Sequence, residues 1–200
     1  MNFIELDNLP VHYDLLVQLD YLGLKWKSNQ ICINTVPGYQ GTVPGKELQH
    51  LLGTGSLGAN WDAKYIEKDQ FGNEKTVVPL YDERYEEEDF TVLCDCFKGT
   101  AFENIYEKLK QNYEHVGRIR IMKSKSQTCL SWHTDRSRRL HYPIKTQEGC
   151  FMVIQDEIKH LKQNQWYFTD TTPHHTAFNA SKEDRIHLVV VILDGTELRK

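Results

Sequence analysis

The sequence predicts a mainly β protein with flanking helices, its later strands forming a jelly-roll-like double sheet. Two observations carry this. Short strand patterns crowd the chain from Val116 onward, separated mostly by turn-rich pieces, with no long helical pattern between them. Clear helical spacing is confined to the first 115 residues. The reading is one domain over residues 1–200, with a mixed α/β N-terminal elaboration over 1–115 and a β-rich core over 116–195.

From the N-terminus, Val11, Leu15, Leu19 and Leu22 recur at helical spacing, so Pro10 to Leu22 predicts a helix stopped by Gly23. Gln30-Ile-Cys-Ile-Asn34 alternates like a strand. Residues 37–62 are glycine-rich and read as loop. Within them Gly53-Thr-Gly-Ser-Leu-Gly58 matches a dinucleotide-binding pattern to the letter. That pattern needs a preceding buried strand and a βαβ rhythm, and both are missing, so no nucleotide site is expected. Asp82 to Asp89 is an acidic run and predicts a solvated surface segment. Thr100-Ala-Phe-Glu103 is a capping box opening a helix through about Tyr113, with Phe102, Ile105, Leu109 and Tyr113 as its buried stripe.

The β-rich part begins with Gly117-Arg-Ile-Arg-Ile-Met122, which alternates with period two. Further strands are expected at Thr128 to Trp132, Arg139 to Ile144, Cys150 to Ile154, Trp166 to Thr169, His174 to Asn179 and Ile186 to Leu193. Glu157 to Leu161 is the one place in this region where a short helix fits. The N-terminal helices are expected to pack against the outside of the sheets.

Composition narrows the function. Of 200 residues, 40% are apolar and 26% charged, ordinary for a soluble globular protein. A net charge of -4 argues against a general nucleic-acid binder. No apolar run approaches the ~18 residues of a membrane span. The first residues lack the basic and apolar regions of a secretory signal, so none is expected. The five cysteines, an odd number, read as reduced thiols in a cytoplasmic protein. Cys94-Asp-Cys96 has no Cys-x-x-Cys partner and reads as small packing residues, not as half a metal site. Oligomeric state is not legible.

The chemistry lies in the last third. His133 and Asp135 stand in Ser131-Trp-His-Thr-Asp135, and His175 in Pro173-His-His-Thr-Ala-Phe-Asn179. Two imidazoles and a carboxylate can hold a redox-active iron on one face and leave the other open. Residues i and i+2 of a strand share a side, so His133 and Asp135 face inward together if the strand from Thr128 continues through them. His175 would come from a distant strand. A lone His-x-Asp among nine histidines is unremarkable, and its company raises its weight. Arg185 precedes the apolar Ile-His-Leu-Val-Val-Val-Ile192, and a charge at the mouth of a core strand wants a partner such as a carboxylate. Arg139 and His141 share a strand face between the ligands. His174 is adjacent to His175 and points the opposite way in a strand. His187, two after Arg185, is a lesser candidate.

These residues carry a resemblance. His133-Thr-Asp135, Arg139-Leu-His-Tyr-Pro-Ile144, Trp166-Tyr-Phe-Thr-Asp170, His175-Thr-Ala-Phe-Asn179 and Arg185-Ile-His-Leu-Val189 resemble the aspartyl/asparaginyl β-hydroxylase family of iron(II)- and 2-oxoglutarate-dependent dioxygenases, over roughly residues 115 to 195. The resemblance implies a double-stranded β-helix and an Fe(II) held by His133, Asp135 and His175, with His175 favoured over His174 by the ten-residue step to Arg185. It implies that Arg185 grips the distal carboxylate of 2-oxoglutarate, with Arg139 and His141 helping to hold this co-substrate. It also implies consumption of O2 to hydroxylate an unactivated C–H bond. The vertebrate enzyme that names the family has Gly where this chain has Asp135, and it carries a membrane anchor and a helical-repeat region. Its substrate is therefore not carried over. Small members with the full triad are more similar, and some of these hydroxylate free amino acids such as proline.

The expected substrate is an amino acid, free or within a peptide or protein. Lys123, Lys125, Arg136 and Arg138 crowd the ligand motif, so a negatively charged substrate is expected. Two other readings stay open: a non-catalytic cupin-like module holding a metal or ligand, with Cys129 or His141 as a fourth protein ligand, and another metalloenzyme on the same barrel.

Overall fold

The alternation of Val116–Ser124 decides the architecture, because both faces of that strand are covered. The computed structural model describes residues 1–24, 26, 29–41, 64–77, 79 and 85–193. The glycine pattern at 53–58 and the start of the acidic run fall outside them.

The early elements are β1 (Phe3–Leu6), α1 (Leu15–Leu22), β2 (Gln30–Cys32), β3 (Asn34–Thr35), β4 (Tyr65–Lys68), β5 (Glu74–Val77), β6 (Val92–Leu93) and α2 (Ala101–Asn112). Then come β7 (Val116–Ser124), β8 (Thr128–Cys129), β9 (Arg138–Lys145), β10 (Cys150–Ile154) and β11 (Glu157–Lys159). The last three are β12 (Trp166–Thr169), β13 (His175–Asn179) and β14 (Arg185–Ile192). A large sheet runs β1-β12-β9-β14-β7-β2 and a smaller one β11-β10-β13-β8, every pairing antiparallel. Two facing antiparallel sheets with consecutive strands split between them make the expected double-sheet jelly roll.

The N-terminal residues do more than pack outside. β1 and β2 are the two edge strands of the large sheet. The outer face of that sheet buries Ile119, Ile121, Leu140, Tyr142, Trp166, Leu188 and Val190 against Leu15 and Leu19 of α1 and Phe102, Ile105 and Leu109 of α2. Thr100 caps α2 by accepting from the Phe102 amide at 3.2 Å. Glu103 accepts from Gly99 rather than from the cap residue, so the box is only half closed.

Three local expectations shift. α1 starts at Leu15, not near Pro10, because the preceding backbone is held by the sheet. Trp166 Nε1 donates to the Pro10 carbonyl at 2.8 Å, and the Tyr142 hydroxyl accepts from the His12 amide and donates to its carbonyl at 3.1 and 3.0 Å. Glu157–Lys159 is a strand hairpinned onto β10, with Gln155 at φ 54 in the turn; its three residues are too few for a helix. The strand expected over Thr128 to Trp132 ends at Cys129.

Gly117 has a specific duty. A Cβ there would lie 2.8 Å from the Glu87 carbonyl oxygen, so the segment carrying Glu87 can lie directly on β7. Buried Asn34 pins the same junction, donating to the carbonyls of Phe90 and Gly117 and accepting from the Ile119 amide. No described helix is long and apolar enough to cross a membrane.

Candidate metal centre

The inner face of the large sheet is polar, unlike its outer face. The outward Ile, Leu and Val residues of β7, β9 and β14 leave their i±1 neighbours pointing between the sheets. These are Arg118 and Arg120 on β7, Arg139 and His141 on β9, and Arg185 and His187 on β14. The apolar residues between the sheets include the cluster of Phe3, Met152, Ile154, Leu161, Tyr167 and Ala177, with Val189 and Val191 of β14 on the same inward face as Arg139 and His141.

His133, Asp135 and His175 meet at one end of this space, one possible ligand atom from each lying within 4.8 Å of the others. They form the one such group among the described residues. His175 opens β13 opposite Ile154 of β10. His133 is not on a continuous strand. It forms an isolated bridge with His175, each amide donating to the other's carbonyl at 3.1 and 2.9 Å, and the rings lie 4.2 Å apart. Asp135 lies in irregular chain, its amide donating to the Thr171 carbonyl at 3.0 Å. Loop hydrogen bonds therefore replace the expected strand periodicity in placing this pair. His174 is exposed and turned away, while His175 is buried.

The donor set suits a divalent transition metal. His133 Nδ1 lies 2.7 Å from the Ser131 carbonyl and His175 Nδ1 lies 3.0 Å from that of Pro173. A carbonyl only accepts, so each Nδ1 must carry the proton and each Nε2 is left with a lone pair. Burial, the largest effect, lowers the His175 pKa and keeps the ring neutral. Asp135 is divided: Oδ2 faces His175 Nε2 at 3.6 Å, while Oδ1 takes Arg139 Nη2 at 3.4 Å. Two imidazole lone pairs and one carboxylate oxygen on a single side match the open three-ligand face described above.

Arg139 is held firmly. Its Nη1 donates to the carbonyls of Ser137 and Arg138 and to the Ser137 hydroxyl, and its Nη2 reaches Glu87 at 3.2 Å as well as Asp135. Glu87 also takes Arg118 at 3.4 Å and the Ser137 hydroxyl at 3.3 Å. The acidic run is thus not uniformly solvated: Glu87 turns inward because two buried guanidiniums need its charge. Sequence reading missed Glu87, Arg118 and Arg120. The available signal was Arg-Ile-Arg-Ile itself, whose polar positions face the interior while the apolar ones meet the helices.

His141 sits mid-face, its Nδ1 3.4 Å from His187 Nδ1. Burial, reinforced by Arg185, Arg139, His175 and Arg120, pushes its pKa down to about 3. His187 is driven well below its ordinary value, by burial first and then by Arg185 and His141. Both are neutral at pH 7, so between them one Nδ1 donates and the other accepts. Arg185 stands opposite Ser124 at the head of β14, and burial lowers its pKa. No carboxylate among the described residues pairs with it. Cys94 is buried and its thiol pKa is pushed far up by burial, and that of Cys96 is pushed to about 11, as packing residues require. Of the four basic residues expected near the ligands, Arg136 pairs with Glu86 at 3.6 Å, Arg138 with Asp170 at 3.7 Å, and Lys123 stacks on Trp26 at 4.4 Å. They are less available to a substrate than their number suggests.

The two neutral histidines make stability pH-dependent. Their folded pKa values lie below the unfolded value near 6.5, so the unfolded chain takes up protons first as pH falls. Stability should be flat above pH ~6.5 and fall below it, with His141 alone accounting for about 2 kcal/mol at pH 5. Urea denaturation at pH 7.5 and 5.0 measures this, and His141→Asn should make the difference smaller. Equal stability at both pH values would contradict neutral burial of the pair.

The chain matches the family model described as aspartyl/asparaginyl beta-hydroxylase over residues 46–194, and it belongs to that family. No curated protein matches it. Among solved structures it is similar to the viral collagen prolyl hydroxylase vCPH from Paramecium Bursaria Chlorella virus-1, at 10% identity and TM-score 0.42, over 96% of this chain and 95% of that one. IDO from Bacillus thuringiensis aligns at 11% identity and TM-score 0.44, over 100% and 95%. A 2OG-Fe(II) oxygenase family oxidoreductase from Burkholderia pseudomallei aligns at 13% identity and TM-score 0.34, over 40% of this chain and 43% of that one. Likenesses this distant carry no argument about activity.

Proposed function

We propose that this member of the aspartyl/asparaginyl β-hydroxylase family is an iron(II)- and 2-oxoglutarate-dependent dioxygenase. Its reaction is hydroxylation of an unactivated C–H bond of an amino acid, free or within a peptide or protein, probed best with negatively charged candidates. The observation that carries the reading is the meeting of His133, Asp135 and His175 with both Nε2 lone pairs presented together. When bound, the metal and co-substrate supply the oxidising chemistry, which no side chain here can provide.

The chain's own residues supply ligation, orientation and charge. The Ser131 and Pro173 carbonyls fix the imidazole tautomers. Arg139 fixes the Asp135 carboxylate by its outer oxygen. Arg185, lacking a carboxylate partner among the described residues, is the proposed anchor for the distal carboxylate of 2-oxoglutarate. His141, and Arg139 beside the metal ligands, are the proposed contacts for its other end. Neutral His141 can donate or accept there without adding charge. Five free thiols support a reducing, cytoplasmic setting.

The test is to mix protein, ferrous iron and 2-oxoglutarate without oxygen, look for a visible charge-transfer band, then admit oxygen and measure succinate. Folded protein that gives neither band nor succinate refutes the reading and leaves the non-catalytic cupin-like module. Arg185→Ala should weaken 2-oxoglutarate by about 10- to 100-fold while metal affinity holds, as loss of a charged hydrogen bond predicts. An unchanged dissociation constant for 2-oxoglutarate would remove Arg185 from the site.

A further inference from the structure

The space between the sheets holds more positive charge than its described carboxylates neutralise. Arg118, Arg120, Arg139 and Arg185 all occupy inward positions of the large sheet. Against them stand Glu87, shared by Arg118 and Arg139, and Asp135, shared by Arg139 and His175. Arg120 has no carboxylate among the described residues. It is 6% exposed, its Nη1 donates to the Gln30 side-chain carbonyl at 2.9 Å, and its Nε–H has no partner. The Nε–H of Arg118, a residue 1% exposed, is also unpartnered. Burial and the neighbouring Arg118 depress the Arg120 pKa to about 9. An amide oxygen satisfies one donor but offsets no charge, and a buried guanidinium without a counter-ion is costly.

The position of Arg120 relates it to the metal ligands. It pairs across β14 with Val189, and Val189 pairs with His141 on β9. Two strand spacings, roughly 10 Å, therefore separate the Arg120 and His141 backbones on the same face. His141 in turn feels the charges of His175, Arg139 and Arg120. Arg185, the anchor proposed for 2-oxoglutarate, faces Ser124, four residues along β7 from Arg120 and so roughly 13 Å away. Arg120 and Arg185 are thus separate cationic points at different heights of one space.

We infer that Arg120, with Gln30 and the free Nε–H of Arg118, forms a second carboxylate site, and that this site receives the acid group of the substrate. The inference rests on the proposed dioxygenase function and assigns the residues that would recognise the substrate's acid group, whether from a free amino acid or from an acidic side chain. A guanidinium fork binds a carboxylate through paired N–H donors and gains from its charge, and a carboxamide offers neither.

The experiment is calorimetric titration without oxygen of full-length protein loaded with Mn(II) and 2-oxoglutarate. The probes are the twenty L-amino acids, their α-carboxamides, and the N-acetyl carboxamides of Asp, Glu, Asn and Gln. At least one carboxylate probe should bind, with its amide counterpart weaker by about tenfold or more. Binding of a free amino acid identifies an α-carboxylate, and binding of the blocked Asp or Glu derivative identifies a side-chain acid. Arg120→Gln should weaken that probe by about 10- to 100-fold, Arg120→Lys should restore part of the loss, and 2-oxoglutarate affinity should stay within about twofold in both. Gln30→Met, which keeps the guanidinium and removes its amide partner, provides a second readout if Arg120→Gln fails to fold, and should weaken the same probe severalfold. The inference falls if the amide binds as well as the acid, if the variants bind the acid like wild type, or if no carboxylate probe binds below about 10 mM. Should 2-oxoglutarate itself fail to bind wild type, the functional reading fails separately, and the same probes titrated without it still test the Arg120 site.

Discussion

His175→Ala should eliminate succinate formation and release the metal. Three side chains are proposed to hold the ion, and His175 is the most buried of them, fixed by a two-way backbone bridge to His133 and by its Nδ1 contact to Pro173. Its loss leaves one imidazole and one carboxylate, too few to define the face. We expect turnover to fall by at least about a thousandfold, since metal-dependent chemistry has no side-chain substitute here. Metal content after dialysis and succinate yield provide the check. His174→Ala is the control, because that side chain is exposed. A His175→Ala protein that retains one equivalent of iron and full turnover would overturn the ligand assignment. His133→Ala should behave like His175→Ala, since the two rings form one unit.

Glu87→Gln should be the most damaging single change outside the metal ligands. The carboxylate is 16% exposed and serves Arg118 and Arg139, whose side chains are 2% and 6% exposed. Removing its charge strands the buried Arg118 guanidinium and leaves Arg139 only Asp135, and breaking a buried pair in this way costs about 3–5 kcal/mol. A second effect follows from the chain Glu87–Arg139–Asp135. With Glu87 neutral, Arg139 leans wholly on Asp135 and lowers its power as a metal ligand, so metal affinity should drop by about tenfold. Urea denaturation measures the first effect and competition with a metal chelator the second. Gly117→Ala offers an independent route to the same seat, because its Cβ would press on the Glu87 carbonyl oxygen. Stability and metal affinity both unchanged in Glu87→Gln would show that the cluster is solvated and unimportant.

Much of this was legible in the residue pattern. Cys150–Ile154 and Trp166–Thr169 appear with the expected bounds, because strict alternation or a compact aromatic run leaves little freedom of register. The helix after Thr100 could be read from its cap and stripe, both local. Most other strands shifted by a residue or two at their ends, while that from Thr128 lost three and that from Gln30 was split, because hydrogen bonding to neighbours decides. α1 lost its expected first residues to Trp166 and Tyr142, contacts more than a hundred residues away in sequence.

The amino-acid sequence by itself determined the sheet-rich core, the residue types of the candidate metal centre and the family to which they point, because periodicity and motif spacing are local properties of the chain. Tertiary structure alone decided that Asp135 is placed by the Thr171 carbonyl instead of by a strand, and it sets His175, already favoured over His174 by its step to Arg185, beside Asp135. It alone drew Glu87 out of an acidic surface run into a buried ion-pair cluster, and turned Arg118 and Arg120 inward. The physical reason is common to all of these. Alternation tells which residues share a face of a strand, but not which face meets solvent, helices or a polar interior. That choice depends on what packs against each side, and here the helices take the apolar face and leave the charges to the space between the sheets.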